Sequence, residues 1–277
     1  MDKRSRLSIR LDALQRLLMN NVFSGTLPLY IVTEYPKCGG TWVAQMLGAY
    51  LGVPFPRNER PRFTSCIMHG HYLYTPFMKN VLCVIRDGRD VVVSAYYHML
   101  FPNENNSRYL VERTRGHNPF KNYENITENL PRFIDYLFTA ENKRFMHFNW
   151  NEFVDSWTDK PNATLVKYED MLRDAAEAMR PYIEKMTGKE ADMKRLRDIQ
   201  EAFSFKRLSK RGAGEEASGS FLRKGIAGDW KTKFDNASCE RFDFYAGANL
   251  IKLGYEKDKE WIIQHRMLDS RNSTQGQ

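Results

Sequence analysis

The stretch LYIVTEYPKCGGTWVAQML, residues 29–47, decides the fold: an apolar run, then PKCGG, then an apolar run of a different period. The composition of LPLYIVTEY is that of a buried strand, and TWVAQMLGAYL has helical spacing, so the two glycines stand where a strand becomes a helix. Glycines leave room for a ligand to approach the backbone. The first amides of the helix face outward without partners, and such a junction attracts an anion.

Lys37 sits just before the glycines and Thr41 directly after them. In the usual nucleotide-binding loop, GxxxxGK[ST], the lysine follows the glycines and reaches a γ-phosphate beside Mg²⁺. A lysine at the loop entry instead reaches a terminal anionic group with no metal beside it. The strand ending at Ile85 also runs into Arg86 rather than into an acid of the Mg²⁺-holding kind. A Gly-Gly turn with no ligand remains the bland alternative for the loop taken alone.

Working outward, FTSCIMHGH resumes apolar and β-branched alternation, and NVLCVIRDGRDVVVSAYYHM repeats the strand–turn–helix grammar with a strand from Val81 to Ile85. Asp87 and Asp90 read as an N-cap pair at the helix start. The polar, asparagine-rich run 102–128 reads as a long loop or irregular lid. ENLPRFIDYLF, FNWNEFVDSW, DAAEAMRPYIEKMTG and MKRLRDIQEAFSF read as helices, and ATLVKYEDM as a strand and turn. The Gly- and Ser-rich run ending in FLRKGIAGDW reads as mobile, and CERFDFYAGANLIKLGY as a last helix. Alternating strands and helices predict an α/β fold: a single domain with a central, mostly parallel sheet flanked by helices. The expected organisation is an N-terminal amphipathic helix packed on the domain over 1–24, the domain itself over 25–264, and a frayed tail over 265–277.

With 277 residues the chain buries a sizeable core, and its formal net charge of +8 favours anionic partners. The basic residues are dispersed among acids, without the single-sign stripe and interleaved aromatics of a nucleic-acid binder, so no nucleic-acid partner is expected. No apolar run is long enough for an integral membrane segment. The four cysteines form no CxxC pair, which favours a reducing compartment, and the cytoplasm is the expected location.

YPKCGGTW, VIRDGRDVVVSAYYH and RKGIAGDWKTKF together resemble, in order and spacing, the three signature segments of the cytosolic-type sulfotransferases, from about residue 29 to residue 255. That resemblance implies a P-loop nucleoside-triphosphatase-like fold. It also implies a co-substrate, 3′-phosphoadenosine 5′-phosphosulfate, which leaves as 3′,5′-diphosphoadenosine, and no metal. By the same likeness Lys37, Cys38, Gly39, Gly40 and Thr41 cradle the 5′-phosphosulfate, and Trp42 stacks near the adenine. Arg86 and Ser94 with Arg223, Lys224 and Gly225 hold the 3′-phosphate, Tyr168 bonds the nucleoside, and Phe205 in FSFKRL stands in an adenine-binding segment whose usual threonine is replaced by Phe203.

The family's base is a histidine, and CIMHGHYLY offers His71. His69 stands where relatives carry lysine. Period two puts both histidines on one side of an extended chain, so a metal pair and plain core hydrogen bonding are the competing readings. The expected reaction is in-line sulfuryl transfer to a hydroxyl or amine of a small-molecule acceptor, with His71 taking the proton and Lys37 steadying charge on the leaving phosphate. The alternative class is a Mg-independent nucleotide-binding P-loop protein or a small-molecule kinase. Cys38 replaces the family's serine and is either an activated thiol or a quiet structural one. Asp235 and Asn236 replace the apolar centre of the relatives' dimer motif, which leaves the oligomeric state open.

Overall fold

The computed structural model describes residues 6–57, 59–61, 63–143, 146–217, 219–220 and 222–265. Apart from His265, the stretch 265–277 read as a frayed tail lies outside the described residues, as do the first five residues of the N-terminal segment. In chain order the elements are α1 (Arg6–Leu18), a π-helical turn (Met19–Phe23), β1 (Leu29–Glu34), α2 (Gly40–Leu51), β2 (Cys66–Gly70), β3 (Val81–Ile85), α3 (Gly88–Leu100), α4 (Arg108–His117), α5 (Ile126–Phe138), α6 (Ala140–Lys143), α7 (Trp150–Trp157), β4 (Ala163–Lys167), α8 (Tyr168–Thr187), α9 (Met193–Ala202), α10 (Phe205–Ser209), a 3₁₀ turn (Asp229–Thr232) and α11 (Asn236–Lys252). They fall into two compact units, Met1–Arg86 with Ser156–Lys210, and Asp87–Asp155 with Arg211–Gln277.

The sheet lies wholly in the first unit. Its order is β2-β1-β3-β4 and every pair is parallel, with Val32 opposite His69 on one side and Leu82 on the other. β3 is buried at every residue and β1 at all but one. Such continuous apolar runs belong to a parallel sheet covered on both faces, not to one with a wet side. The cover is α2 on β1 and β2, α8 on β3 and β4, and α9 on both helices. From β1 the chain goes to β2 on one side and then crosses to β3 on the other. Strand order therefore reverses at the β1/β3 seam, and the carboxyl ends of the strands beside such a reversal are where open α/β sheets hold ligands. The residues that follow those ends are the 35–39 loop and Arg86.

Two expectations in this unit are corrected. YEDM is not a turn: β4 passes straight into α8, whose kink falls instead at Asp174 (φ −156°, ψ 95°), where the Asp174 carboxylate accepts from the Glu177 amide at 3.2 Å and restarts the helix. The leucines of α1 do not form a buried stripe either, since Leu11, Leu14, Leu17 and Leu18 are 42–56% exposed. Polar contacts hold α1: Arg16 donates to the carbonyls of Glu59 (2.5 Å) and Arg57 (3.2 Å), and Gln15 to that of Pro61.

In the second unit α3 packs with α4, α5 and α11, and α5 with α11. The polar run 102–128 is no irregular lid. It contains α4, capped by Ser107, whose hydroxyl accepts from the Leu110 amide at 3.2 Å, and it buries Leu110 and Val111. Within it Asn106 closes a turn, donating to the carbonyls of His98 (2.5 Å) and Phe101 (2.7 Å), and Asn129 of α5, just beyond it, donates to the Tyr96 hydroxyl and the Asn122 carbonyl, both at 2.8 Å. Asp87 caps α3, accepting from the Arg89 amide at 2.9 Å. Asp90 does not; its carboxylate accepts from the amides of Gly228 (2.7 Å) and Trp230 (3.0 Å) and pins that segment to α3. Asp235 is the N-cap of α11, accepting from Ser238 at 2.8 Å, so the altered dimer motif is a helix start.

Candidate functional site

In the first unit the loop between β1 and α2 is shaped by backbone strain. Lys37 has φ 78°, in the left-handed region, which costs an ordinary residue about 1–2 kcal/mol. Arg86 braces it, donating from Nη1 to the Lys37 carbonyl at 3.0 Å while its guanidinium lies 4.4 Å from the centre of the Tyr168 ring. Gly39, at φ 93°, has no space for a side chain, because a Cβ there would come within 2.7 Å of Tyr168. Trp42 donates from its indole to the Phe203 carbonyl at 2.8 Å and meets Tyr168 edge-on at 6.2 Å. Lys37, Gly39, Trp42, Arg86, Tyr168 and Phe203 are thus brought together; half-buried Thr41 opens the next turn and half-buried Phe205 begins α10. Cys38 is buried, and burial pushes its thiol well above its ordinary value, with Glu34 adding to the effect against Arg86. Burial thus disfavours the reactive thiolate form.

Glu34, the last residue of β1, was not singled out from the sequence. Its carboxylate is 6% exposed; Oε2 accepts from the Gly40 amide at 2.6 Å and Oε1 lies 3.0 Å from His69 Nε2. Burial alone raises such a carboxyl, but the hydrogen bond and charge of His69, with His71 and the Gly40 amide, outweigh it and hold Glu34 below its ordinary value. The available signal was an acid at the end of a largely apolar strand that runs into a glycine loop.

His71 is fixed by the same residue through its main chain. Its Nδ1 lies 2.9 Å from the Glu34 carbonyl oxygen. A carbonyl only accepts, so Nδ1 carries the proton and Nε2 is left with a free lone pair. The ring is open to solvent on one side, yet the protein crowded around it disfavours the cation and holds its pKa below the ordinary value, more strongly than Glu34 raises it. Both histidines therefore turn towards Glu34, and among the described residues no three metal-ligating side chains converge. An apolar cavity of about 290 Å³ is lined by Leu14, Leu17, Asn20, Met78 and Tyr72, the residue after His71.

In the second unit Arg223 and Lys224 are bound to acids. Arg223 Nη2 and Lys224 Nζ each lie 2.5 Å from the Asp229 carboxylate, and Arg223 Nη1 lies 2.6 Å from Glu216. The Asp229 side chain is 1% exposed, and Lys224 and Arg223 overcome its burial and hold it below the usual carboxylate range. Arg223 also lies 4.6 Å over the Tyr97 ring, one turn of α3 beyond half-buried Ser94, and Gly225 has φ 64°.

Among known proteins, the family model described as Sulfotransferase domain matches residues 53–254. Sulfotransferase 1C2 of Homo sapiens is 26% identical, with 77% of this chain and 80% of that protein covered. Sulfotransferase 1E1 of Cavia porcellus is 22% identical over the same shares. Among solved structures, mouse sulfotransferase SULT7A1 complexed with PAP aligns with a TM-score of 0.58 at 15% identity, covering 87% of this chain and 90% of that one. Retinol dehydratase in a complex with retinol and PAP aligns at 0.58 and 16% identity, over 87% and 86%. These structural likenesses show the fold, and the family model, which spans well over half of the residues, shows the lineage: the chain belongs to the sulfotransferase domain family.

Proposed function

We propose that this protein transfers the sulfuryl group of 3′-phosphoadenosine 5′-phosphosulfate to a hydroxyl or amine of a small molecule by in-line displacement, with His71 as general base. One observation carries the reading: the Glu34 carbonyl, 2.9 Å from Nδ1, leaves His71 Nε2 as a proton acceptor at the end of β2. The nearby groups suit an anionic donor, being fixed cations and main-chain amides at a strand-to-helix junction. The loop Lys37–Thr41 would take the phosphosulfate, Trp42, Tyr168 and Phe205 the nucleoside, and Arg86, Ser94, Arg223, Lys224 and Gly225 the 3′-phosphate. When bound, the donor supplies an activated sulfuryl group on a phosphate leaving group.

The protein's own part is positioning and electrostatics. Lys37, strained into a left-handed turn and braced by Arg86, would supply a cation at the loop entry to offset charge building on the leaving oxygen. His71, held below its ordinary pKa, is neutral at neutral pH and able to accept a proton. The apolar cavity beside Tyr72 suits an acceptor with an apolar body.

Calorimetry with 3′,5′-diphosphoadenosine and with ATP tests the donor; tighter binding of ATP would overturn the assignment. For the base, His71→Ala is expected to keep affinity for 3′,5′-diphosphoadenosine while losing transfer of radiolabelled sulfate across an acceptor library by roughly 10²–10⁴-fold. An undiminished rate would remove His71 from that role.

A further inference from the structure

We propose that Glu34 is a positioning residue of the transfer reaction, fastening the base to the donor loop and facing the imidazole with a negative charge while it takes a proton. This rests on the reading of His71 as the base. Three contacts carry it, all made by one residue. The main-chain oxygen holds His71 Nδ1 at 2.9 Å, carboxylate Oε1 meets His69 Nε2 at 3.0 Å, and Oε2 accepts from the Gly40 amide at 2.6 Å. The end of β1 therefore grips both imidazoles at the end of β2 and the first turn of α2 together.

The loop is built around this carboxylate. A Cβ on Gly40 would lie 2.7 Å from the Glu34 carboxyl carbon, so the second glycine is the space that the acid occupies. A carboxylate this deeply buried costs several kcal/mol unless it is paired, as this one is. The titratable groups facing it are His69 and His71 from the end of β2, Cys38 from the loop and Cys83 from β3. Burial holds both thiols well above their ordinary values, so they stay neutral and leave the field at the imidazoles to Glu34.

The chemical consequence follows from the proton's path. As Nε2 takes the acceptor's proton, His71 becomes a cation, and the Glu34 charge stabilises it while the Nδ1–H···O=C bond keeps the ring in place. Without the charge, His71 is a weaker base. His69, through the same carboxylate, keeps the acid pointed at the loop rather than at solvent.

The test is Glu34→Gln, equal in size but uncharged, studied by histidine ¹⁵N NMR, by calorimetry with 3′,5′-diphosphoadenosine and by sulfuryl transfer. His71 is expected to titrate at lower pH than in the wild type, and kcat to fall roughly 10–100-fold, the range for removing an outer partner of a working histidine. Affinity for 3′,5′-diphosphoadenosine should change less than turnover. His69→Lys, which places a hydrogen-bonding cation beside the carboxylate, should retain turnover that His69→Leu loses. Unchanged kcat and an unchanged His71 titration in Glu34→Gln overturn the proposal. Should that variant fold poorly, equal turnover of His69→Lys and His69→Leu overturns it instead. His71→Ala separates the two readings: if it is inactive while Glu34→Gln behaves as wild type, only the role of Glu34 is lost, whereas an active His71→Ala removes the base itself.

Discussion

Each unit holds a carboxylate at a place suited to an anion, and the two are held very differently. In the first, Glu34 is 6% exposed and locked between one imidazole and one backbone amide. In the second, Glu216 is 28% exposed and sits among three cations, 2.6 Å from Arg223, 3.8 Å from Lys224 and 4.0 Å from Lys233. Beneath it Asp229, almost fully buried, already satisfies Arg223 and Lys224 from the other side. A caged acid with few partners is framework. A half-open acid on a cationic cluster that has a second, permanent counterion is, on the proposed reading, the group that an incoming phosphate would displace.

The sharpest way to break this contrast is at Asp229. Asp229→Asn strips the permanent counterion from two largely buried cations, and unfolding in urea should show a loss of about 3–5 kcal/mol, the usual cost of breaking a buried pair. A loss near zero would make Asp229 as dispensable as a surface acid.

Next is pH. The folded Glu34 carboxyl lies below its ordinary value of 4.5, so its contribution to stability is fully present above that value and is lost as pH falls through the folded one. Below pH 4.5 the stability advantage of wild type over Glu34→Gln should therefore shrink as the carboxyl takes up its proton. An advantage that grows in acid would mean that the carboxyl is protonated in the native state. The smallest effect belongs to Glu216→Gln. Removing this partly exposed acid should tighten 3′,5′-diphosphoadenosine by no more than about 1 kcal/mol, less so in high salt. Weaker binding would make Glu216 part of the framework after all.

The sheet was legible because burial wrote it into composition. Five consecutive apolar residues gave β3 its bounds, Val81–Ile85, since a strand covered on both faces leaves no polar interruption. The 102–128 run was misread because its helix is held by Ser107 and by asparagine side chains closing turns, and those residues look the same in a loop. Likewise Tyr168 opens a helix with no intervening turn residues to announce it. At the site, Lys37 and His71 were visible as residue types in a pattern. Glu34 was not, because its role comes from three contacts that only parallel pairing of β1 with β2 and the turn into α2 create. Asp90 was assigned to its own helix when its partners, Gly228 and Trp230, lie far along the chain.

Arg89 is 2% exposed, ion-paired to Asp87 at 2.7 Å and Glu256 at 2.5 Å, and its guanidinium lies 3.7 Å from the Trp230 ring and 4.8 Å from the Trp261 ring. A fixed charge against two indoles gives the second unit an optical label of its own. In the first unit, Trp42 is tied to the Phe203 carbonyl beside the Lys37–Thr41 loop. Variants that keep only Trp42 or only Trp230 of the five tryptophans would thus follow either unit through melting or titration without any attached dye.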